Sequence, residues 1–522
     1  MKSPIGMLMG VLFLSGSGCG GSTEEPNPGP GLHVIGTREI TDTVLTILKD
    51  PMTVELRNAA GQPQAGVSIV FEGHGANGLD TIAYLKNPGV STTPSNYRSF
   101  NATATVVTDA NGRAAVSVAL GSKAGNASVV ARALTDGSID SLTLVVRPGR
   151  ATGLVLLPSD TSLLLGRSFT FQARQTDKWN NAIDTPLTGL SLSLDSGSSI
   201  TPGTSGTVSS TALGRALITL RALGTVAQAR ISVVPVGTLA MYASGGGSSG
   251  VYVAQTDGSD GHWLYKAPAP GPFSGPRGIW PTWSPDGSSV AFTHDRILAV
   301  VPASNGAFRD LPTPALAIAE DVAPRFSADG RWIYFSSGGV SAPRLSWRIH
   351  PDGTGLDSVV DPAGLSGISA PRPSPDGSRL LVHAGSAQSN GLFFLPTNGG
   401  PLQDLHIPVA QGEWSPLGDR IAFIAPVQSG FPDAGIRYLT AAGQPLQDLH
   451  ASPFPPTDLS WSSDGQWLVG SLASYYAETS YDLPMFPRRV EFVNVHTGLT
   501  IPAFIKGPPD LEFRQPSWKP VR

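Results

Sequence analysis

The sequence predicts an all-β fold, two β-sandwiches followed by a six-bladed β-propeller, and three observations predict it. The first is composition. At roughly 150 residues per domain, 522 residues make three or four domains, and Gly (61) and Pro (46) together exceed a fifth of them. Charged residues are 14%, below the ~25% of an average soluble domain, so many short strands and tight turns are expected. A hydrophobic content of 40% suffices to build cores and argues against disorder. The second is period-two alternation in the first 236 residues, and the third is a unit that recurs every 40 to 50 residues after them. A net charge of −4 supplies no cationic surface for phosphates, which excludes nucleic acid as a partner.

The chain opens with Lys2, an apolar stretch from Ile5 to Leu14 too short to span a bilayer, and small residues up to Gly18. This reads as an export signal over residues 1–18. Cys19 is the one cysteine, so no intramolecular disulfide, Cys-based zinc site or cysteine nucleophile is expected. The run Leu14-Ser-Gly-Ser-Gly-Cys19 resembles the bacterial lipobox, although Gly16 stands where that family prefers Leu. The resemblance implies lipidation of Cys19, and Gly20 in place of Asp after it implies the outer membrane. Acyl chains on Cys19 would then be the sole membrane contact. An ordinary secretory signal with an incidental cysteine is the alternative. Residues 19–32, rich in Gly and Pro, are expected to be a flexible tether.

Short alternating strands occupy 33–149, among them Val54 to Arg57, Val67 to Phe71, Ala115 to Leu120 and Leu142 to Val146. Leu56 to Phe71 (LRNAAGQPQAGVSIVF), Thr108 to Val118 (TDANGRAAVSV) and Ala124 to Ala131 (AGNASVVA) resemble the bacterial Ig-like repeats of invasin and intimin type. Asn111-Gly112 is expected to be a hairpin turn capped by Asp109. A calcium loop would need further acidic ligands that the spacing lacks. Residues 150–236 echo this pattern, with Thr188 to Leu194 (TGLSLSL) and Thr211 to Leu220 (TALGRALITL), so two Ig-like modules are expected in tandem. The first holds 21 extra residues between about His74 and Ala104, a loop or an added hairpin.

From 237 to 522 the unit Pro281-Thr-Trp-Ser-Pro-Asp-Gly287 recurs as Pro324-Arg-Phe-Ser-Ala-Asp-Gly330, Pro371-Arg-Pro-Ser-Pro-Asp-Gly377, Gly412-Glu-Trp-Ser-Pro-Leu-Gly418 and Leu459-Ser-Trp-Ser-Ser-Asp-Gly465. Glycine spacings of 43, 47, 41 and 47 are those of four-stranded blades. A second turn per unit, as in Asp257-Gly258 and Asp352-Gly353, is expected to be type I′. The unit resembles the TolB-type (WD40-like) propeller repeat of periplasmic proteins, over just more than half the chain. Pro516 to Arg522 matches only an opening strand, and the stretch from Thr238 to Leu264 lacks one. The two ends are therefore expected to complete a single blade and close the ring of six. Trp283, Trp414, Trp461 and Trp518 read as packing between blades.

The tight turns should share one face and the longer connections the other, so a partner is expected on the second face and at the channel mouth. There the longest connection, Ser471 to Arg488, carries Tyr475, Tyr476, Tyr481, Phe486 and Arg488, residue types that dominate interface energetics. Folding back over the last blade is the competing reading. His294, Asp295 and Arg296, with His383 two blades on, are further binding candidates. A metal is not expected, since neither HExxH nor a dense ligand run accompanies the histidines. No α/β domain bearing a G-x-S-x-G nucleophile elbow is expected, since no length remains for a catalytic domain. The expected function is non-catalytic and cofactor-free: adhesion or scaffolding at the outer membrane, with a protein or cell-surface glycan as partner. The alternative is a lyase or glycan-processing enzyme with its site in the channel mouth.

Overall fold

The computed structural model describes residues 29–75, 83–86, 102–245, 248–267, 279–304, 306–313, 324–339, 342–359, 369–385, 390–398, 400–409, 412–425, 435–446, 450–451, 458–471, 489–504 and 511–521. Among them every regular element is a strand, and no helix is long and apolar enough to cross a membrane. Cys19 and the export segment lie outside the described residues. The chain divides into two compact units, residues 1–153 with 176–183 and residues 154–175 with 184–522.

In the first unit two sheets share one core. One sheet orders Glu39–Thr43, Ile139–Arg147, Gly125–Ala133, Ser68–Gly75 and Thr103–Val107; the other orders Gly31–Ile35, Met52–Arg57, Arg113–Leu120 and Ala83–Lys86. Alternation places Val54, Leu56, Val116 and Val118 of one sheet against Ile69, Phe71, Val129 and Leu144 of the other, all fully buried. That is the sandwich expected from period-two patterning. The Asp109 carboxylate accepts the N–H groups of Asn111 (2.8 Å) and Arg113 (2.9 Å). Gly112 has φ +72°, where a Cβ would stand 2.7 Å from the Leu56 carbonyl oxygen; the turn needs glycine for both reasons. The 21-residue excess contributes a strand. Ala83–Lys86 adds an edge strand beside Arg113–Leu120 and buries Leu85 in the core.

In the second unit, Asp160–Leu164, Thr225–Val234, Gly214–Ala222 and Leu192–Ser196 form one sheet, and Ser168–Thr170, Thr207–Ser210 and Ile200–Pro202 another. Lacking the extra edge strand of the first module, Leu192–Ser196 pairs directly with Gly214–Ala222. The echo between the modules thus lies in sequence pattern more than in strand pairing.

From residue 238 onward the described strands form six antiparallel sheets of four. In the first, the order is Glu512–Trp518, Thr238–Gly245, Ser248–Gln255 and His262–Lys266, with Trp518 opposite Leu239 and Ser517 opposite Ala240. Each later sheet takes four consecutive strands. The innermost strands, Glu512–Trp518, Thr282–Trp283, Arg325–Phe326, Ser369–Pro373, Gly412–Trp414 and Ser460–Trp461, contact one another in turn, and the last contacts the first. A closed ring of radially arranged sheets is a β-propeller. Trp283, Trp414, Trp461 and Trp518 are 5–8% exposed and belong to four separate apolar clusters, so each packs a seam.

The turn of the second hairpin corrects one expectation. In His350-Pro351-Asp352-Gly353 the Gly353 N–H donates to the His350 carbonyl, and within the turn only Gly353 has positive φ. Type I′ needs positive φ at both central residues, which the proline ring forbids; the turn is type I followed by a left-handed glycine. Ser284, Ser327, Ser374 and Ser462 each donate from Oγ to the aspartate two residues on, at 2.5–2.6 Å. The same hydroxyls accept the N–H five residues on, at 2.9–3.2 Å. At Asp376 the Ser374 hydroxyl, aided by the Ser378 N–H and hydroxyl, brings the carboxyl pKa down to about 2.

Within this unit the sandwich meets the last sheet. Leu164 and Val234 enter the apolar cluster of Val490, Phe492 and Ile501, and the Ser232 hydroxyl donates to the Pro502 carbonyl at 2.6 Å. Beside them Glu491 is 9% exposed, and its Oε2 has no hydrogen-bond partner among the described residues. Burial raises its pKa to about 7 against the opposing pull of Arg215. A carboxyl whose folded pKa lies above its unfolded value holds its proton more tightly when folded, so stability falls as pH rises from about 4.5 through 7. The shift is worth about 3 kcal/mol. Urea unfolding should show Glu491→Gln matching the parent at pH 4.5 and exceeding it by about that amount at pH 8. Equal stability of the two at pH 8 would contradict this.

Candidate functional site

The inner strands border a cavity of about 580 Å³, walled by residues 280–283, Arg325, Pro408, Val409, 412–414, Pro416, Ala422, Ile424, 458–461 and 515–518. The seam residues, Trp283 and Trp414 among them, pack between sheets, and both also line the cavity. The residue just before each faces its neighbours around the ring. In chain order these are Thr282, Arg325, Arg372, Glu413, Ser460 and Ser517, so three consecutive sheets supply charge and the other three supply hydroxyls.

The charged residues converge. Arg372 Nε donates to Glu413 Oε1 at 2.8 Å; Arg325 donates to the same oxygen through Nη2 and to Oε2 through Nε at 3.3 Å. Arg372 is 3% exposed, whereas Arg325 (21%) and Glu413 (16%) keep an accessible edge. Burial pushes the Glu413 carboxyl up, but Arg325 and Arg372 outweigh it and hold the carboxyl below its usual range. Burial and then the neighbouring Arg325 bring Arg372 down to about 10, with Glu413 pulling the other way. Around the other arc, the Ser460 hydroxyl accepts the Trp518 N–H at 2.9 Å and the Ser517 hydroxyl accepts the Trp283 N–H at 3.3 Å. Trp461 Nε1 donates to the Glu413 carbonyl at 3.1 Å, and the Ser471 hydroxyl donates to Asp458. The hydroxyl arc therefore fastens neighbouring sheets together, while the charged arc carries ionic groups to the cavity edge.

The described candidates from sequence, His294, Asp295, Arg296 and His383, do not line this cavity. Tyr475, Tyr476, Tyr481, Phe486 and Arg488 lie outside the described residues. Asp295 and Arg296 form the turn between Ser289–His294 and Ile297–Pro302, both with positive φ. His294 Nε2 lies 2.7 Å from Asp310 Oδ1, and its ring packs among Tyr265, Phe292 and Phe308 at 5.2–5.8 Å between centroids. His383 sits on Arg379–Gly385 opposite Ser369 and Leu392. Among the described residues, no three His, Cys, Asp or Glu side chains converge as a metal site. Arg325, Arg372 and Glu413 were not singled out from sequence. Their signal was a position at which the aligned repeats change from hydroxyl to charge.

No family model matches the chain. A curated relative, the uncharacterized protein Atu1656 of Agrobacterium fabrum, is 27% identical over 163 residues, 28% of this chain. The chain spans about half (54%) of that relative's length. Among solved structures it is similar to TolB from Acinetobacter baumannii, at 16% identity and TM-score 0.43, covering 60% of this chain and 81% of that one. A putative TolB from Agrobacterium tumefaciens gives 14% and 0.39, covering 55% and 99%. Oligogalacturonate lyase from Vibrio parahaemolyticus gives 10% and 0.36, covering 64% and 85%.

Proposed function

We propose that this chain is a non-catalytic binding protein of the cell envelope, held to the outer membrane by lipid on Cys19. In this reading two Ig-like modules act as spacers, and a six-bladed TolB-like propeller receives a protein or cell-surface glycan partner at its channel. The observation that carries it is the cavity of about 580 Å³ bordered by the Arg325–Glu413–Arg372 cluster, since pockets with a few converging polar groups are the usual places of recognition. Pairing favours binding over turnover: Glu413 accepts from two guanidiniums and Asp458 from Ser471, so both carboxylates are committed as acceptors rather than poised as bases.

Pro408 is exposed and lines the cavity, so Pro408→Trp places bulk at the opening without removing a buried group. Capture of envelope partners by the full-length protein in non-ionic detergent should fall at least tenfold in this variant. Deletion of residues 474–487, which carry the tyrosine-rich contact loop, should weaken capture as well. Unchanged capture by Pro408→Trp with an unchanged melting temperature would reject the channel as the contact site.

A further inference from the structure

The chemistry of what the channel receives follows from its wall; this inference rests on the channel-binding reading above. Five tryptophans, at 280, 283, 414, 461 and 518, line the cavity. Four of them are 5–8% exposed and spend most of their surface in the seams. Trp280, two residues ahead of the inner strand Thr282–Trp283, is half-buried and is the most open of the five. The negative face of an indole attracts the weakly positive C–H groups of a saturated ring laid flat on it.

The polar part of the wall is planar and two-headed. Glu413 accepts from Arg325 on both oxygens, and the two side chains keep edges open, 16% and 21%. Donor and acceptor therefore stand side by side at the cavity. Gln515 adds an amide. In the closing strand Ser517 pairs with Ala240 and Arg514 with Tyr242, which leaves Gln515 and Pro516 opposite the single residue Met241. Such a bulge re-aims a side chain, and Gln515 holds a φ of +55°, uncommon for a residue with a Cβ. It lines the cavity, and its Oε1 is buried with no hydrogen-bond partner among the described residues. Rotation of the amide alone would offer that oxygen to a ligand.

A ligand suited to this wall donates to carboxylate and amide oxygens, accepts from a guanidinium and lays an apolar face on an indole. Carboxylates only accept and ammonium groups only donate, whereas a hydroxyl does both. The charged side chains that line the cavity, Arg325, Glu413 and Asp458, are of both signs, so a charged ligand of either sign meets a like charge. We propose that the channel seats a neutral sugar ring of a glycan, stacked on Trp280 with adjacent hydroxyls on the Arg325–Glu413 pair.

Calorimetric titration of the full-length protein, in a polyoxyethylene detergent that carries no sugar, tests this. The probes are tetramers of glucose, galactose, mannose and N-acetylglucosamine, with tetragalacturonate and tetramannuronate as acidic counterparts. At least one neutral tetramer should bind, and the best should bind at least tenfold tighter than either acidic one. Trp280→Ala should lose that binding at least tenfold, and Trp280→Phe, which keeps a ring, should restore most of it. Melting temperatures establish that the variants are folded, and the comparison of neutral and acidic tetramers on the parent protein decides without any variant. No binding by any neutral tetramer up to about 10 mM would overturn the proposal. So would acidic tetramers binding as tightly as neutral ones, or an unchanged affinity in folded Trp280→Ala. Partner capture lost in Pro408→Trp, with no neutral tetramer bound by the parent, would reject the sugar seat and leave the channel reading standing. Capture kept in Pro408→Trp with an unchanged melting temperature would reject the channel itself.

Discussion

A chain ending at residue 510 is expected to lose the cooperative unfolding transition of its second unit. The missing strand, Glu512–Trp518, is the inner member of the first sheet, and its neighbourhood buries Leu511, Phe513 and Trp518 to 1–6% exposure. At roughly 1.5–3 kcal/mol for each large apolar side chain, about 5–9 kcal/mol is lost, close to the whole stability of a typical domain. The truncation would also bare the edge of Thr238–Gly245, a template for pairing with another chain. Calorimetry of the full and shortened chains, with light scattering alongside, measures both effects. A shortened chain that melts cooperatively within about 5 °C of the full one would show that the strand is dispensable.

The second large effect is expected at Glu413. Glu413→Ala removes the carboxylate that Arg325 and Arg372 share, which costs about 3–5 kcal/mol when one partner of a buried ionic cluster is deleted. Glu413→Gln keeps an acceptor at nearly the same place and should lose less. Combining Glu413→Ala with Arg372→Met removes both the carboxylate and the deeper cation, so the double variant should recover much of the loss. Chemical unfolding of the three variants distinguishes these outcomes. A double variant no more stable than Glu413→Ala would mean that the arc does not act as one electrostatic unit.

How much could be read from sequence depends on how far apart the cooperating residues lie. The turn at Asp109 to Gly112 was legible because cap, turn and left-handed glycine sit within four residues, and its geometry follows from side-chain chemistry alone. The repeat from Pro281 onward was legible because its copies align. The Asp-Gly pairs of the second hairpins suggested type I′ turns, and at Asp352-Gly353 the proline at 351 should have taken precedence over the pair that follows it. The charged arc was not read, because Arg325 and Arg372 reach Glu413 across 88 and 41 positions and meet only when the ring is closed. Glu491 was hidden for a similar reason. In the alternation Val490-Glu-Phe492 it looks like a solvent-facing residue until the module bearing Arg215 and Ser232 is set beside it.

The pairing of Trp518 with Leu239 and of Phe513 with Ala243 also sets a timetable. A polypeptide synthesised from its amino end at about 5–20 residues per second needs roughly 15–50 s to travel from the first of those partners to the second. Throughout that interval the sheets already made lack their final fastening, and long-range pairing of this kind is slow even afterwards. Quality-control proteases therefore meet an open intermediate during every round of biogenesis, and a stop codon a dozen residues early would leave the cell with that intermediate permanently.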